Sequence, residues 1–255
     1  MYGICNLSIV ALKAAPSDSS EMVSQILFGE VFTILEQQKY WSKIQLASDG
    51  FEGFIDHKQF EKISEDLYQK LLIVPKVYAG EFIDFITDST NGLLTIPIGS
   101  SLPFFADNHF FINSKKYNYQ GKVFTEKLNK SEIIRNAFTF LNAPFLWGGK
   151  TPFGIDCSGF TQMVYKLNGY KLFRDASQQA NQGEALSFIE ESEPGDLAFF
   201  DNAEGNITHV GIIMEDNHII HAHGKVRIDR LDHSGIYNTD KNIHTHKLRV
   251  IKKII

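Results

Sequence analysis

Two cysteines occur in the 255 residues, and one of them, Cys157, stands between an aspartate and Ser-Gly in T-P-F-G-I-D-C-S-G-F, residues 151–160. The run S-G-F-T-Q-M-V-Y-K-L-N-G begins at the next residue and has helical spacing, with Phe160, Val164 and Leu167 on one face and Gly169 at its end. Cys157 is therefore expected in the first turn of a helix. A thiol there feels the positive end of the aligned peptide dipoles and their unpaired N–H groups, which favour thiolate and lower its pKa. Nucleophilic catalysis also needs a base within reach and a third polar group to hold that base. His209 in I-T-H-V-G-I-I and His221 in I-I-H-A-H-G lie on neighbouring strand-like runs. If those runs pair as a hairpin, both imidazoles project from one sheet face toward the helix, with Cys157 as nucleophile, His209 as base and His221 as orienting group.

Each residue also has a structural role open to it. Free cysteine is among the most buried residue types, and a histidine in an apolar strand commonly serves the core. A metal site is a third reading, because His218, His221, His223, His233, His244 and His246 crowd the C-terminal third and H-x-H occurs twice. No carboxylate or cysteine stands at a matching ligand spacing, which argues against metal. Residue types and spacing alone leave the nucleophile and packing readings open.

The elements that must position these side chains fall into distinct stretches. Residues 1–62 carry short β-branched and aromatic runs (LSIVAL, EMVSQILF, VFTILEQ, WSKIQL, FEGFID) separated by turn formers, the pattern of a small all-β barrel or sandwich. A helical connector, SEDLYQKLL, leads to a second set of strand-like runs over 76–123. From 128 the pattern changes: KSEIIRNAFTFL is helical with Ser131 as its N-cap, the Cys157 helix follows, and GDLAFF, THVGIIM, HIIHAHG and HKLRVIKKII read as strands. Helices followed by strands in one segment predict an α+β domain over 128–255.

Composition excludes several classes. Hydrophobic residues make up 43% and charged residues 22% of the chain, values typical of a folded globular protein. Net charge is −5 with scattered lysines, so no basic footprint marks nucleic acid or an anionic membrane as a partner. No run of 18 apolar residues is present, and the first residues lack the basic stretch that precedes a signal peptide's apolar segment. Two cysteines make no disulfide framework. The expected location is cytoplasmic; a signal peptide upstream of Met1 would make the protein exported instead.

F-L-W-G-G-K-T-P-F-G-I-D-C-S-G-F, then P-G-D-L-A-F-F, then T-H-V-G-I-I, then I-I-H-A, resemble the ordered landmarks of the NlpC-type cell-wall cysteine peptidases. Cys157 and His209 are separated by 52 positions and His209 and His221 by 12, similar to that family. The resemblance covers 128–255 and implies a papain-like fold and hydrolysis of murein stem peptides without metal or cofactor. Residues 1–62 are similar to the bacterial SH3-like domains that accompany this catalytic domain, and 76–123 resemble a second one more weakly. The implied reaction is cleavage of the γ-D-glutamyl to diamino-acid bond, with the Cys157 backbone N–H as an oxyanion donor.

The SH3-bearing branch of the family carries an Asp shortly after the nucleophile's helix that receives the free amine of an N-terminal L-Ala. FRDASQQA puts Asp175 at the matching place, 18 positions beyond Cys157. The competing roles for Asp175 are pairing with Arg174 and capping the next helix. Asp156 and Ser158 match positions that help hold the substrate's first residue, and Trp147 resembles the pocket-wall indole. Two positions depart from the pattern: Phe145 stands where Tyr is common two places before that Trp, and Phe51 replaces the Tyr often found in the SH3-like hairpin. Neither Phe can hydrogen-bond substrate. Two roles are open to the SH3-like module, attachment to the wall or closure of one end of the cleft that turns an endopeptidase into a dipeptide-releasing enzyme, and the lack of an export signal favours the second, a murein-recycling enzyme. The alternatives are an exported endopeptidase that remodels intact wall and a catalytically inactive wall-binding protein.

Overall fold

Turn formers between short β-branched runs break the N-terminal stretch into strands too short to bury a face alone, so they must curl around a shared core. In the computed structural model, which describes residues 1–255, they form β1 (Tyr2–Ile4), β2 (Ile9–Lys13), β3 (Met22–Leu27), β4 (Val31–Gln37), β5 (Trp41–Leu46), β6 (Glu52–Asp56) and β7 (Glu61–Ile63). Their order in the sheet is β3-β2-β6-β5-β4-β1-β7. Alternation along β5 turns Ser42, Ile44 and Leu46 inward, where Ile44 and Leu46 join Val10, Leu12, Ile26, Phe32 and Ile55. Helix α1 (Glu65–Ile73) follows, and the Ser64 hydroxyl caps it by accepting from the Leu67 N–H at 3.2 Å.

Residues 76–124 add β8 (Tyr78–Ala79), β9 (Ile83–Asp88), β10 (Leu93–Pro97), β11 (His109–Ile112), β12 (Lys115–Asn118) and β13 (Val123–Phe124). Four of these form a sheet in the order β10-β9-β12-β11, and β8 pairs with β13. A second core joins Ile4 and Phe28 from the first stretch to Ile86, Ile96, Phe110 and Tyr117 from the second. Residues 1–127 make up one compact unit and 128–255 the other.

The second unit opens with α2 (Ser131–Phe138). Lys130, not Ser131, is the residue before its first turn, and no side chain caps it. The expected serine cap is therefore displaced by one position, and Ser131 is already helical. A hairpin of β14 (Lys150–Thr151) and β15 (Gly154–Ile155) leads into α3 (Cys157–Leu167), then α4 (Ala176–Gln179). Nearly every residue of α3 is buried, and it ends at Gly169 with φ +80, the left-handed conformation that glycine adopts without strain.

β16 (Glu184–Leu186), β17 (Leu197–Asp201), β18 (Ile207–Met214), β19 (His218–His223), β20 (Lys225–Asp232), β21 (Gly235–Asn238) and β22 (Ile243–Lys253) build one antiparallel sheet. Its order is β16-β22-β17-β18-β19-β20-β21, and β22 also pairs with β21, so six strands close into a ring with β16 outside it. The result is an α+β unit over 128–255 preceded by a mainly β unit over 1–127. Phe160 of α3 is fully buried and meets Phe140 edge-on, with ring centroids 6.0 Å apart. Phe160→Ala is expected to cost about 3 to 5 kcal/mol through the cavity left behind, read as a fall in the urea midpoint of the second unit.

Candidate active site

Three segments have to meet around Cys157, and Asp156 ties them. As N-cap of α3, its Oδ1 accepts from the Gly159 N–H at 2.6 Å, while Oδ2 accepts from the Gly148 N–H at 2.8 Å. Arg174, itself buried, donates to the same carboxylate through Nη1 at 3.0 Å and Nη2 at 2.6 Å. The Arg174 Nη1 also reaches the Ser158 hydroxyl at 3.0 Å. The W-G-G and D-C-S-G motifs acquire a physical reason here. A Cβ on Gly149 would lie 2.3 Å from the Gly154 carbonyl oxygen, and one on Gly159 would lie 2.3 Å from the Gly149 oxygen.

The loop carrying Asp175 is fastened by a buried amide. Gln179 Nε2 donates to the carbonyls of Ser158 at 3.0 Å and Phe173 at 2.8 Å, and its Oε1 accepts from the Thr161 hydroxyl at 2.7 Å. Arg174 pairs with Asp156, its Nη2 lying 2.6 Å from Oδ2. Asp175 is exposed at the N-cap of α4, where Gln178 Oε1 accepts from its backbone N–H at 3.3 Å. The helix-capping alternative thus describes its backbone position.

β18 and β19 pair with Gly211 opposite His221 and Ile213 opposite Ile219. Alternation puts His209, Gly211 and Ile213 on one face together with Ile219 and His221. The two imidazoles meet there, His209 Nε2 to His221 Nδ1 at 2.8 Å. His221 Nε2 lies 3.0 Å from Asp229 Oδ2, a partner on β20 that motif reading did not single out. Arg227 Nη2 donates to Asp229 Oδ1 at 2.7 Å, and Arg227 Nε lies 2.7 Å from Oδ2. The His246 ring stacks on His209 with centroids 4.2 Å apart and planes 25° from parallel.

The Cys157 thiol is buried at the start of α3, and the Val210 backbone N–H, one residue beyond His209, hydrogen-bonds it. Burial pushes this thiol up to about 12, and the Asp156 charge adds to the rise, whereas the N–H groups of Val210 and Ser158 oppose it. The expectation that the helix end lowers its pKa is reversed: desolvation of the whole site outweighs the partial charges of one helix turn. Burial, together with the neighbouring imidazoles of His221, His246 and His223, holds His209 well below the ordinary histidine value. Burial thus disfavours the charged form of both groups, the thiolate and the imidazolium.

Trp147 is well exposed and Phe145 partly so, its backbone N–H donating to the Gly224 carbonyl at 3.0 Å. Phe51 belongs to the first unit, half-buried beyond the Asp49-Gly50 turn, with its N–H donating to Asp49 Oδ1 at 3.0 Å. No group of three or more His, Cys, Asp or Glu side chains is arranged to hold a metal ion. No helix is long and apolar enough to cross a membrane.

Comparison with known proteins agrees with this geometry. The NlpC/P60 family model matches residues 142–245, and the model described as a bacterial dipeptidyl-peptidase Sh3 domain matches 12–60. The chain is 30% identical over 218 residues to the γ-D-glutamyl-L-lysine dipeptidyl-peptidase of Bacillus subtilis, covering 78% of this chain and 71% of that one. The chain belongs to the NlpC/P60 family. It is a cysteine peptidase of that family, preceded by an SH3-like module. It is also 26% identical over 257 residues to dipeptidyl-peptidase 6 of Lysinibacillus sphaericus, covering 91% of this chain and 92% of that one. An NlpC/P60 family protein from Bacillus cereus shares the fold, with a TM-score of 0.83 at 20% identity over 100% of this chain and 99% of that one.

Two measurements probe the site's electrostatics. Arg174→Met strips the buried Asp156 carboxylate of its cation and is expected to cost about 3 to 5 kcal/mol, seen as a lower midpoint in thermal unfolding. His209, His221 and His246 all have folded values below the ordinary 6.5, His246 near 4. The unfolded chain therefore binds more protons in that interval, and stability present above pH 6.5 is lost as pH falls toward 4. Urea midpoints measured between pH 7.5 and pH 4 should decline over that window (about two to three units).

Proposed function

We propose that the protein hydrolyses the γ-D-glutamyl to diamino-acid bond of murein peptides bearing a free N-terminal L-Ala, releasing L-Ala-D-Glu. The observation that carries this reading is the position of Asp175. Buried Gln179 fastens its loop to the backbone of Ser158, immediately beyond the nucleophile, and leaves the carboxylate at an exposed position. A substrate ammonium paired with that carboxylate sits at a fixed distance from Cys157, and an acylated amine cannot take its place. The likeness to the Bacillus subtilis γ-D-glutamyl-L-lysine dipeptidyl-peptidase and the Sh3-domain match support the same substrate class.

The chemistry follows from that shared bias against charge. As Cys157 Sγ bonds to the γ-glutamyl carbonyl carbon, its proton passes to the Nδ1 of His209, the ring nitrogen that His221 does not engage. The tetrahedral oxyanion forms beside the N-terminus of α3, where the Cys157 N–H has no intrahelical acceptor. Collapse breaks the C–N bond, and His209 returns the proton to the departing amine. Water then attacks the thioester, giving a proton to His209, and the released thiolate takes it back. Coupling proton transfer to attack lets a thiol with a raised pKa react without a standing thiolate. Asp156, already bonded by two N–H groups and Arg174, contributes by fixing the motif, and Ser158 and Trp147 border the same region. Recycling of released stem peptides, and with it a cytoplasmic location, accords with the free-amine requirement.

The test offers L-Ala-γ-D-Glu-meso-diaminopimelate and its N-acetylmuramoyl form to the protein in parallel, with Cys157→Ala as control and mass-spectrometric detection. Release of L-Ala-D-Glu from the free peptide alone is expected, and Asp175→Asn should lower kcat/KM for it by about 10- to 100-fold, as loss of a charge-assisted hydrogen bond does. Equal cleavage of both peptides would replace this reading with wall remodelling, and cleavage of neither would favour a wall-binding role.

A further inference from the structure

We propose that Asp229 is a positioning residue that sets which ring nitrogens carry protons along the His221–His209 chain, and so equips His209 to take the Cys157 proton. It deepens the cysteine-peptidase reading and rests on Cys157 acting as the nucleophile. Neutral imidazole has one donor and one acceptor nitrogen, and the His209–His221 bond at 2.8 Å is satisfied equally well in either direction. In one direction His209 Nε2 donates, leaving a lone pair on Nδ1. In the other His221 Nδ1 donates, the hydrogen of His209 moves to Nδ1, and that nitrogen can no longer accept from a thiol. The pair alone does not choose.

The carboxylate removes the degeneracy. Asp229 only accepts, so the His221 Nε2 facing it at 3.0 Å must carry the hydrogen. His221 Nδ1 is then the acceptor, His209 Nε2 the donor and His209 Nδ1 the base. A choice made at Asp229 passes through two rings to the nucleophile. Both side chains, His221 and Asp229, are fully buried, so no solvent exchange competes with the bond. Arg227 fixes the carboxylate from the opposite side through Nη2 at 2.7 Å, and Nη2 is itself held by Asp240 at 2.8 Å. Register explains the placement: Arg227 pairs across from His221, and Asp229 follows two residues along the same face of β20. Burial pushes the Asp229 carboxyl up, but the bonds from His221 and Arg227 outweigh it and keep the acid ionised.

The test needs no substrate. Long-range ¹H–¹⁵N spectra of the histidines in the intact protein near neutral pH should show hydrogen on Nε2 of both His221 and His209. In Asp229→Asn, His209 should gain the Nδ1–H form. Where a triad carboxylate touches the base directly its amide variant costs about 10⁴-fold, so acting through a second ring Asp229→Asn should slow iodoacetamide alkylation of Cys157 by about 10²-fold. With peptide substrate the loss should fall on kcat, with KM little changed. In a His221→Ala background the same substitution should change the alkylation rate by less than about twofold, because the route through His221 is gone. An Nδ1–H tautomer on His209 in the unmodified protein overturns the proposal, as does unchanged alkylation in Asp229→Asn or an equal loss in both backgrounds. If Asp229→Asn fails to fold, the spectrum of the unmodified protein decides alone. Failure of the murein-peptide reading would leave the tautomers and alkylation rates as stated, so the two are distinguishable.

Discussion

The carboxylate of Asp156 is the fixed point of the catalytic unit. It accepts from the N–H of Gly148, the N–H of Gly159 and both terminal nitrogens of Arg174. Loop, nucleophile helix and the Arg174 segment thereby converge on one buried charge that no solvent can replace. Such a charge is costly to desolvate and tolerable only when its bonds are complete. The glycines of the two motifs follow from that convergence, since backbones approach too closely for any Cβ. Gln179 repeats the device one step outward, holding the Asp175 loop with an amide whose oxygen and nitrogen are both engaged.

Much of this was legible in the chain, and what was not has a common cause. Hydrophobic period and turn formers mark strands such as Trp41–Leu46 and the Cys157 helix, because burial of alternate or every third-to-fourth side chain leaves a pattern. Gly169 marks that helix's end for a conformational reason. The strand Lys225–Asp232 escaped, as did Gly235–Asn238. K-V-R-I-D-R-L-D reads as a solvated charged segment, yet Arg227 and Asp229 turn into the structure and satisfy each other. A paired charge in a core carries no hydrophobic signal, so its inward face is invisible until register is known. The Ser131 cap misses by one residue, the ordinary scale of uncertainty at helix ends.

The sign of the thiol's shift teaches a related lesson. A helix N-terminus is a local feature, readable from a dozen residues, and it does act on Cys157 through nearby N–H groups. Desolvation is collective: it arises from α3 lying buried along nearly its whole length, which depends on strands far along the chain. The same burial neutralises His209. Burial therefore works against charge on Cys157 and on His209 alike, and it does so through packing rather than through any one neighbour.

The closing role of β22 carries a consequence for the order of events during synthesis. This strand pairs with β17 on one edge and with β21 and β16 on the other, and it follows all three in the chain. Until it is made, β17 and β21 each lack a neighbour, the ring is open, and the His246 that stacks on His209 has not left the ribosome. The imidazole chain is therefore enclosed only when the catalytic unit is almost completely translated.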